Sequence, residues 1–135
     1  MSFKVLFLGE IVGRAGIGAI KNGLKALKDK TGADFVVANA EGTTNGFGLG
    51  KAHSMQLSHL GINLLTGGEK LFYKQDMVEF FPKCSYVLRP ANYPIKAPGK
   101  GYKIVEINNK KVAIINLLGS SGFTRLSVTN PLTFS

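Results

Sequence analysis

Val5-Leu6-Phe7-Leu8-Gly9-Glu10, Phe35-Val36-Val37-Ala38-Asn39-Ala40-Glu41 and Ile62-Asn63-Leu64-Leu65-Thr66-Gly67-Gly68-Glu69 share one pattern: an apolar run, a short glycine- or asparagine-bearing stretch, then a glutamate. The continuous apolarity of these runs is that of strands buried on both faces, as in a parallel sheet. The carboxyl ends of parallel strands line a common crevice, so the pattern predicts that Glu10, Glu41 and Glu69 converge there. Any one of the acids could instead cap the helix that follows it, a reading less suited to all three together.

Between the runs lie two helical segments. Ile17, Ile20, Leu24 and Leu27 fall on one helical face and Lys21, Lys25 and Lys28 on another, with Gly32 closing the helix. A second helix spans about Lys51 to Leu60 and ends at Gly61. The order β-α-β-α-β implies right-handed crossovers and an α/β fold with a mostly parallel sheet. A further helix is expected around Tyr73 to Phe81, stopped by Pro82, then a fourth strand at Tyr86-Val87-Leu88. The prolines and glycines of Arg89 to Gly101 exclude helix and central strand. Tyr102 to Ile107 and Val112 to Leu118, joined through Asn108-Asn109-Lys110-Lys111, predict a terminal β-hairpin. The division expected is an α/β domain over residues 1–119 and an irregular tail over 120–135.

The chain of 135 residues is long enough for one domain with a core. Lysine and arginine number 17 against 8 acids, for a net charge of +9. That excess suits phosphate-bearing partners, but only Arg14, Arg89 and Arg125 are arginine and no aromatic-interleaved basic stripe marks a nucleic-acid module. The single Cys84 excludes an intrachain disulfide, and no export signal is evident, so a cytoplasmic location is expected. Apolar runs such as Val112 to Leu118 fall short of the ~20 residues needed to cross a bilayer.

The strings Gly9-Glu10-Ile11-Val12-Gly13-Arg14, Ala38-Asn39-Ala40-Glu41, Gly46-Phe47-Gly48, Leu88-Arg89-Pro90-Ala91-Asn92-Tyr93-Pro94, Pro98-Gly99-Lys100-Gly101-Tyr102 and Val112-Ala113-Ile114-Ile115-Asn116-Leu117-Leu118-Gly119 resemble the YmdB-type branch of the calcineurin-like metallophosphoesterases. The resemblance spans nearly the whole chain and about the amino-terminal half of the family's pattern. Later segments that supply further histidine ligands have no counterpart before Ser135. It implies half of a calcineurin-like fold and, in the family, two metal ions that cleave phosphoesters. Family strands end in Gly-Asp, Asn-x-Glu-Asn and Gly-Asn-His. By that resemblance Glu10 replaces an aspartate, Glu41 matches, Gly42 replaces an asparagine, Glu69 replaces a bridging-site asparagine, and Lys70 replaces the catalytic histidine.

The chemistry ranks these exchanges. Two-metal hydrolysis needs ligands placed to a fraction of an ångström, so the extra methylene of Glu10 and the extra charge of Glu69 both disturb it. Those acids could still bind a hard cation such as iron, manganese or magnesium through oxygen. A lysine ammonium, with an ordinary pKa of ~10.4, cannot shuttle protons near neutrality as an imidazole does, and Lys70 could replace the ion by pairing with Glu10, Glu41 or Glu69. The preferred reading is therefore a non-catalytic relative acting in assembly or binding. Two alternatives stand beside it: a metal-dependent phosphodiesterase or phosphatase completed by another subunit, and a nucleotide- or RNA-binding module. A half-fold is also expected to leave one sheet face bare, which predicts a homo-oligomer or a covering partner.

Other residues carry less. His53 and His59, six apart on a helix, face different ways and predict surface histidines. Gly46-Phe47-Gly48-Leu49-Gly50 lacks the Lys-Ser/Thr of a P-loop and reads as a flexible turn before a helix that could otherwise cradle a phosphate. Arg89 is either an anion contact or a loop-fixing donor, and nothing around Cys84 activates a thiolate.

Overall fold

The structure is a computed structural model that describes residues 2–120; the expected tail beyond Ser120 lies outside the described residues. Four strands, β1 (Val5–Leu8), β2 (Phe35–Asn39), β3 (Leu64–Thr66) and β4 (Val87–Leu88), form a parallel sheet in the order β1-β2-β3-β4. Helices α1 (Gly13–Thr31) and α2 (Lys51–His59) make the first two crossovers. Gly32 ends α1 at φ 67°, donating its N–H to the Lys28 carbonyl, the left-handed stop that glycine takes without a Cβ clash. The third crossover is broken into a 3-10 turn at Leu71–Tyr73, α3 (Gln75–Phe80) and a second 3-10 turn at Phe81–Lys83, where Pro82 ends helical hydrogen bonding. One helix over Tyr73 to Phe81 was expected. The interruption falls at Lys74, whose extended backbone begins α3.

The sheet alternates its side chains between two layers. Val36, Ala38, Leu65 and Val87 face the helices, packing with Ile17, Leu24, Leu57, Met77 and Phe81. Val37, Leu64 and Leu88 face the other way, onto Ile114 of an antiparallel hairpin of β5 (Tyr102–Ile107) and β6 (Lys110–Ile115). The half-fold argument expected a bare second face; instead the hairpin roofs β2, β3 and β4 there. The apolar exposure moves outward instead, to Phe7 of β1 and to Tyr102, Ile104 and Ile115 of the hairpin's outer side. Leu27, expected in the helix core, is partly exposed.

The hairpin turn is two residues, not four. Ile107 pairs with Lys110, and Asn108 and Asn109 take φ of 49° and 62°. Both central residues with positive φ define the turn whose twist matches the flanking strands, and asparagine tolerates that region.

Loop 89–101 fastens the hairpin to the sheet. The Arg89 N–H donates to the Lys100 carbonyl at 3.0 Å, and the Ala91 N–H to the Asn116 carbonyl at 2.7 Å. The Asn116 side-chain amide donates to the carbonyls of Gly67 and Leu88 at 2.7 and 3.2 Å. Asn92, fully buried, donates to the Leu118 carbonyl at 2.7 Å and accepts the Leu118 N–H at 3.0 Å. Within this knot Gly101 lies so close to Ala91 that any Cβ would collide with the Ala91 backbone, which has no rotamer to yield. Gly101→Ala should therefore destabilise the fold by about 1–3 kcal/mol or more, seen as a lowered midpoint in urea denaturation. An unchanged midpoint would mean that the loop is not packed against the strand in this way.

Candidate functional site: a carboxylate crevice at the strand ends

The loops after β1 and β2 are stitched together before any acid is placed. The Ile11 N–H donates to the Asn39 carbonyl at 2.8 Å, the Gly13 N–H to the Gly42 carbonyl at 3.1 Å, and the buried Thr43 hydroxyl to the Ile11 carbonyl at 3.1 Å. The Ala40 N–H extends the ladder to the Thr66 carbonyl at 2.9 Å. This fixes Glu10, Glu41 and Glu69 at the carboxyl ends of neighbouring strands, as the pattern predicts.

Glu41 is the centre of the group and is half-buried. The Lys70 backbone N–H donates to its Oε1 at 2.6 Å. Its Oε2 lies against Gly68, where a Cβ would approach to 2.5 Å. Glu10, more exposed, rests its carboxylate on Gly42 in the same manner. Two glycines therefore form the seats of two carboxylates. Burial pushes the Glu41 carboxyl above its ordinary range; the Lys70 N–H opposes this, the charges of Glu10 and Glu69 reinforce it, and the Lys70 charge opposes it again.

Tyr93 closes the crevice from the loop side. Its hydroxyl donates to the Gly68 carbonyl at 2.9 Å, and its ring packs on Phe72 with centroids 5.5 Å apart. Burial, with Glu41, Glu69 and Tyr73 nearby, holds its phenol up at about 12, so it remains a donor across the physiological range. Sequence reasoning assigned Tyr93 no role beyond its motif. Its contact is made across 25 positions, and no periodicity signals such a pairing.

Lys70 differs from its expected place. Its ammonium lies over the Phe47 ring, 5.7 Å from the centroid, and among the described residues the ion pair within reach is Lys25–Asp29, not one with the three glutamates. The main chain of Lys70, not its side chain, holds Glu41. The turn carrying Phe47 is tightly defined: Asn45, Gly46 and Gly48 have φ of 58°, 78° and 85°, and a Cβ at Gly48 would come within 2.8 Å of the Lys70 carbonyl. Its donors are already used, with the Gly50 N–H on the Thr44 hydroxyl at 2.8 Å and the Lys51 N–H on Asp76 at 3.0 Å. The helix α2 entrance thus already has an anionic cap from its own chain.

Among the described residues no three histidine, cysteine, aspartate or glutamate side chains gather closely enough to hold one metal ion. Glu41 has one oxygen committed to a peptide N–H, and an amine stands where the resemblance implies an imidazole. As arranged, this donor set does not fit a binuclear centre. His53 bonds Thr44 through Nδ1 at 2.8 Å and His59 the Met55 carbonyl at 2.7 Å, both away from the acids' partners. Arg89 takes the loop-fixing role, its Nη1 donating to the Pro90 carbonyl at 2.8 Å.

The Glu41 shift has a defined sign. A carboxyl raised in the folded state favours folding while protonated, and that contribution is lost as pH rises through the folded value. Glu41→Gln, which keeps an oxygen for the Lys70 N–H, should raise the melting temperature at pH 7, with the gain shrinking to nothing below the ordinary glutamate value of 4.5. A loss at pH 7 in thermal melts would show that the charge itself stabilises the crevice.

Comparisons with known proteins agree with this architecture. A 135-residue alignment with a Mycoplasma pneumoniae protein described as a candidate phosphatase/phosphodiesterase is 40% identical, covering 96% of this chain and 48% of the relative. The 2',3'-cyclic-nucleotide 2'-phosphodiesterase of Bacillus subtilis is 34% identical over 86% of this chain and 44% of its own length. Among solved structures, a novel phosphatase of Mycoplasma pneumoniae superposes with a TM-score of 0.92 at 36% identity, covering 98% of this chain and 48% of that one. A hypothetical protein of Thermus thermophilus superposes with a TM-score of 0.82 at 27% identity, over 90% and 47%. The chain thus spans about half the length of the relatives it matches. The pattern of the YmdB-like protein family matches residues 6–134, and the chain belongs to that family.

Proposed function

We propose that this chain is a non-catalytic member of the YmdB-like family whose role is assembly or binding. The observation that carries the reading is the position of Lys70. At the place where the resemblance implies a proton-shuttling imidazole, a peptide N–H is fixed on Glu41 and the side chain lies on Phe47. A peptide N–H neither gives up nor takes a proton in the neutral range, so the position has become a structural contact. Glu10, Glu41 and Glu69 then serve as an acidic cluster at the strand ends, held through the glycine seats of Glu10 and Glu41 and the Lys70 N–H on Glu41.

The names of the relatives favour a second reading, in which the same acids belong to a metal-dependent phosphodiesterase or phosphatase completed by residues from another polypeptide. In that reading the other polypeptide would supply the further ligands that Glu10, Glu41 and Glu69 need to hold manganese or iron. The two readings part in one experiment. Incubated with manganese or ferrous iron, the protein should turn over bis(p-nitrophenyl) phosphate no faster than its Glu41→Gln variant. Two equivalents of bound metal by elemental analysis, with turnover abolished in Glu41→Gln, would establish the catalytic reading instead.

Assembly is assigned to the exposed apolar side chains Ile104 and Ile115 on the hairpin's outer side. Burying such side chains contributes on the order of 1.5–3 kcal/mol each towards holding a second copy of the chain. Light scattering should give a dimer or larger species that falls towards monomer on Ile104→Lys. A well-folded monomer of the unaltered protein would count against assembly through this patch.

A further inference from the structure

A cavity of about 240 Å³ opens along the outer edge of β4, between that strand and the start of β5, and none of the crevice residues lines it. Lys83, Lys100 and Lys103 line it with Tyr102, Cys84 and Val87, and no aspartate or glutamate does. We propose that this cavity binds the phosphate group of a small phosphorylated molecule through the three lysines, with the rest of the ligand lying on the exposed ring of Tyr102.

The electrostatic argument is local. Three lysines line one concave surface with no acid beside them, and the low-dielectric walls concentrate their field, so an anion that enters is attracted by all three. Lys103 is already oriented, its Nζ donating to the Ser85 carbonyl at 2.7 Å at the rim. Cys84 adds no competing negative charge, because burial raises its thiol further above neutrality against the opposing pull of the Tyr86 and Val87 amides and of Lys103. Lys83 also borders a neighbouring hollow with Asp76 and Glu79, without an ion pair to either among the described residues. Lys100 and Lys103 are therefore the cleaner anchors.

The size and lining select the ligand class. A volume of about 240 Å³ is below that of sites enclosing a drug-sized molecule, and it suits a phosphate with a sugar-sized remainder. Phosphate carries nearly two charges at neutral pH and three acceptor oxygens, one for each ammonium. Tyr102, 58% exposed beside the cavity, offers a flat apolar face on which a base or sugar ring can rest.

The test is calorimetric titration of the full chain at low salt with inorganic phosphate, ribose 5-phosphate and AMP. Saturable binding of ribose 5-phosphate or AMP is expected. It should weaken about a hundredfold in Lys100→Ala/Lys103→Ala, since each charge-assisted hydrogen bond lost costs about one decade of affinity. Lys83→Ala should weaken it in the same direction, which guards against a folding defect in the double variant, itself checked by circular dichroism. Tyr102→Ala should weaken AMP more than inorganic phosphate. The site is overturned if none of the three binds saturably at millimolar concentration, or if Lys21→Ala/Lys30→Ala on α1 weakens binding equally, since that would reduce the effect to overall charge. The result is independent of whether the crevice hydrolyses phosphoesters, because the two share no residue.

Discussion

The buried amide of Asn92 is the constraint on which the rest of the arrangement depends. Its oxygen accepts the Leu118 N–H while its nitrogen donates to the Leu118 carbonyl, so one side chain imitates a strand neighbour for the residues leaving β6. A group this deeply buried costs more if left unpaired than it contributes when paired, which makes the loop conformation nearly obligatory once the hairpin packs. Asn116 repeats the device from the opposite side by bonding the ends of β3 and β4. Together they set loop 89–101 against Gly68, and that places Tyr93 over Glu41. The crevice thus inherits its geometry from two asparagines that are not themselves among its acids.

The exchanges in the crevice read as an adjusted set. Relative to the resembled pattern, Glu10 is one methylene longer, and Gly42 has lost the side chain that would collide with it. Glu41 keeps its identity but leans on Gly68, which leaves no room for a Cβ. Volume removed at Gly42 is taken up by the longer Glu10 carboxylate, so the local packing survives the exchange. Glu10 and Glu41 are each met by a backbone feature, not by a new counter-ion.

Much of the architecture was legible because it depends on local pattern. Apolar runs at Val5, Phe35 and Leu64 locate the parallel strands, Gly32 stops α1, and the paired asparagines turn the hairpin. The shared crevice follows from the same topology. What escaped depends on contacts between distant residues. The roofing of the sheet by Ile114 and the bond from Tyr93 to Gly68 both arise from packing between segments far apart in sequence. The role of Lys70 escaped for a different reason: residue identity suggests what a side chain does, whereas here the peptide group acts.

Why the Lys70 ammonium stays out of the acid cluster can be argued from magnitudes. Bringing it onto Glu41 would strip water from an ion whose desolvation costs several kcal/mol, and fixing a lysine side chain costs about 2 kcal/mol of rotamer freedom. The gain would be small, because Oε1 of Glu41 already accepts a 2.6 Å hydrogen bond and Glu10 is hydrated. Over Phe47 the ammonium keeps much of its hydration while still facing the ring's negative surface. Its charge continues to act on Glu41 through space, weakly, as the last of the influences on that carboxyl. Glu41 is thereby held by a donor that cannot titrate and moderated by a cation that need not dock.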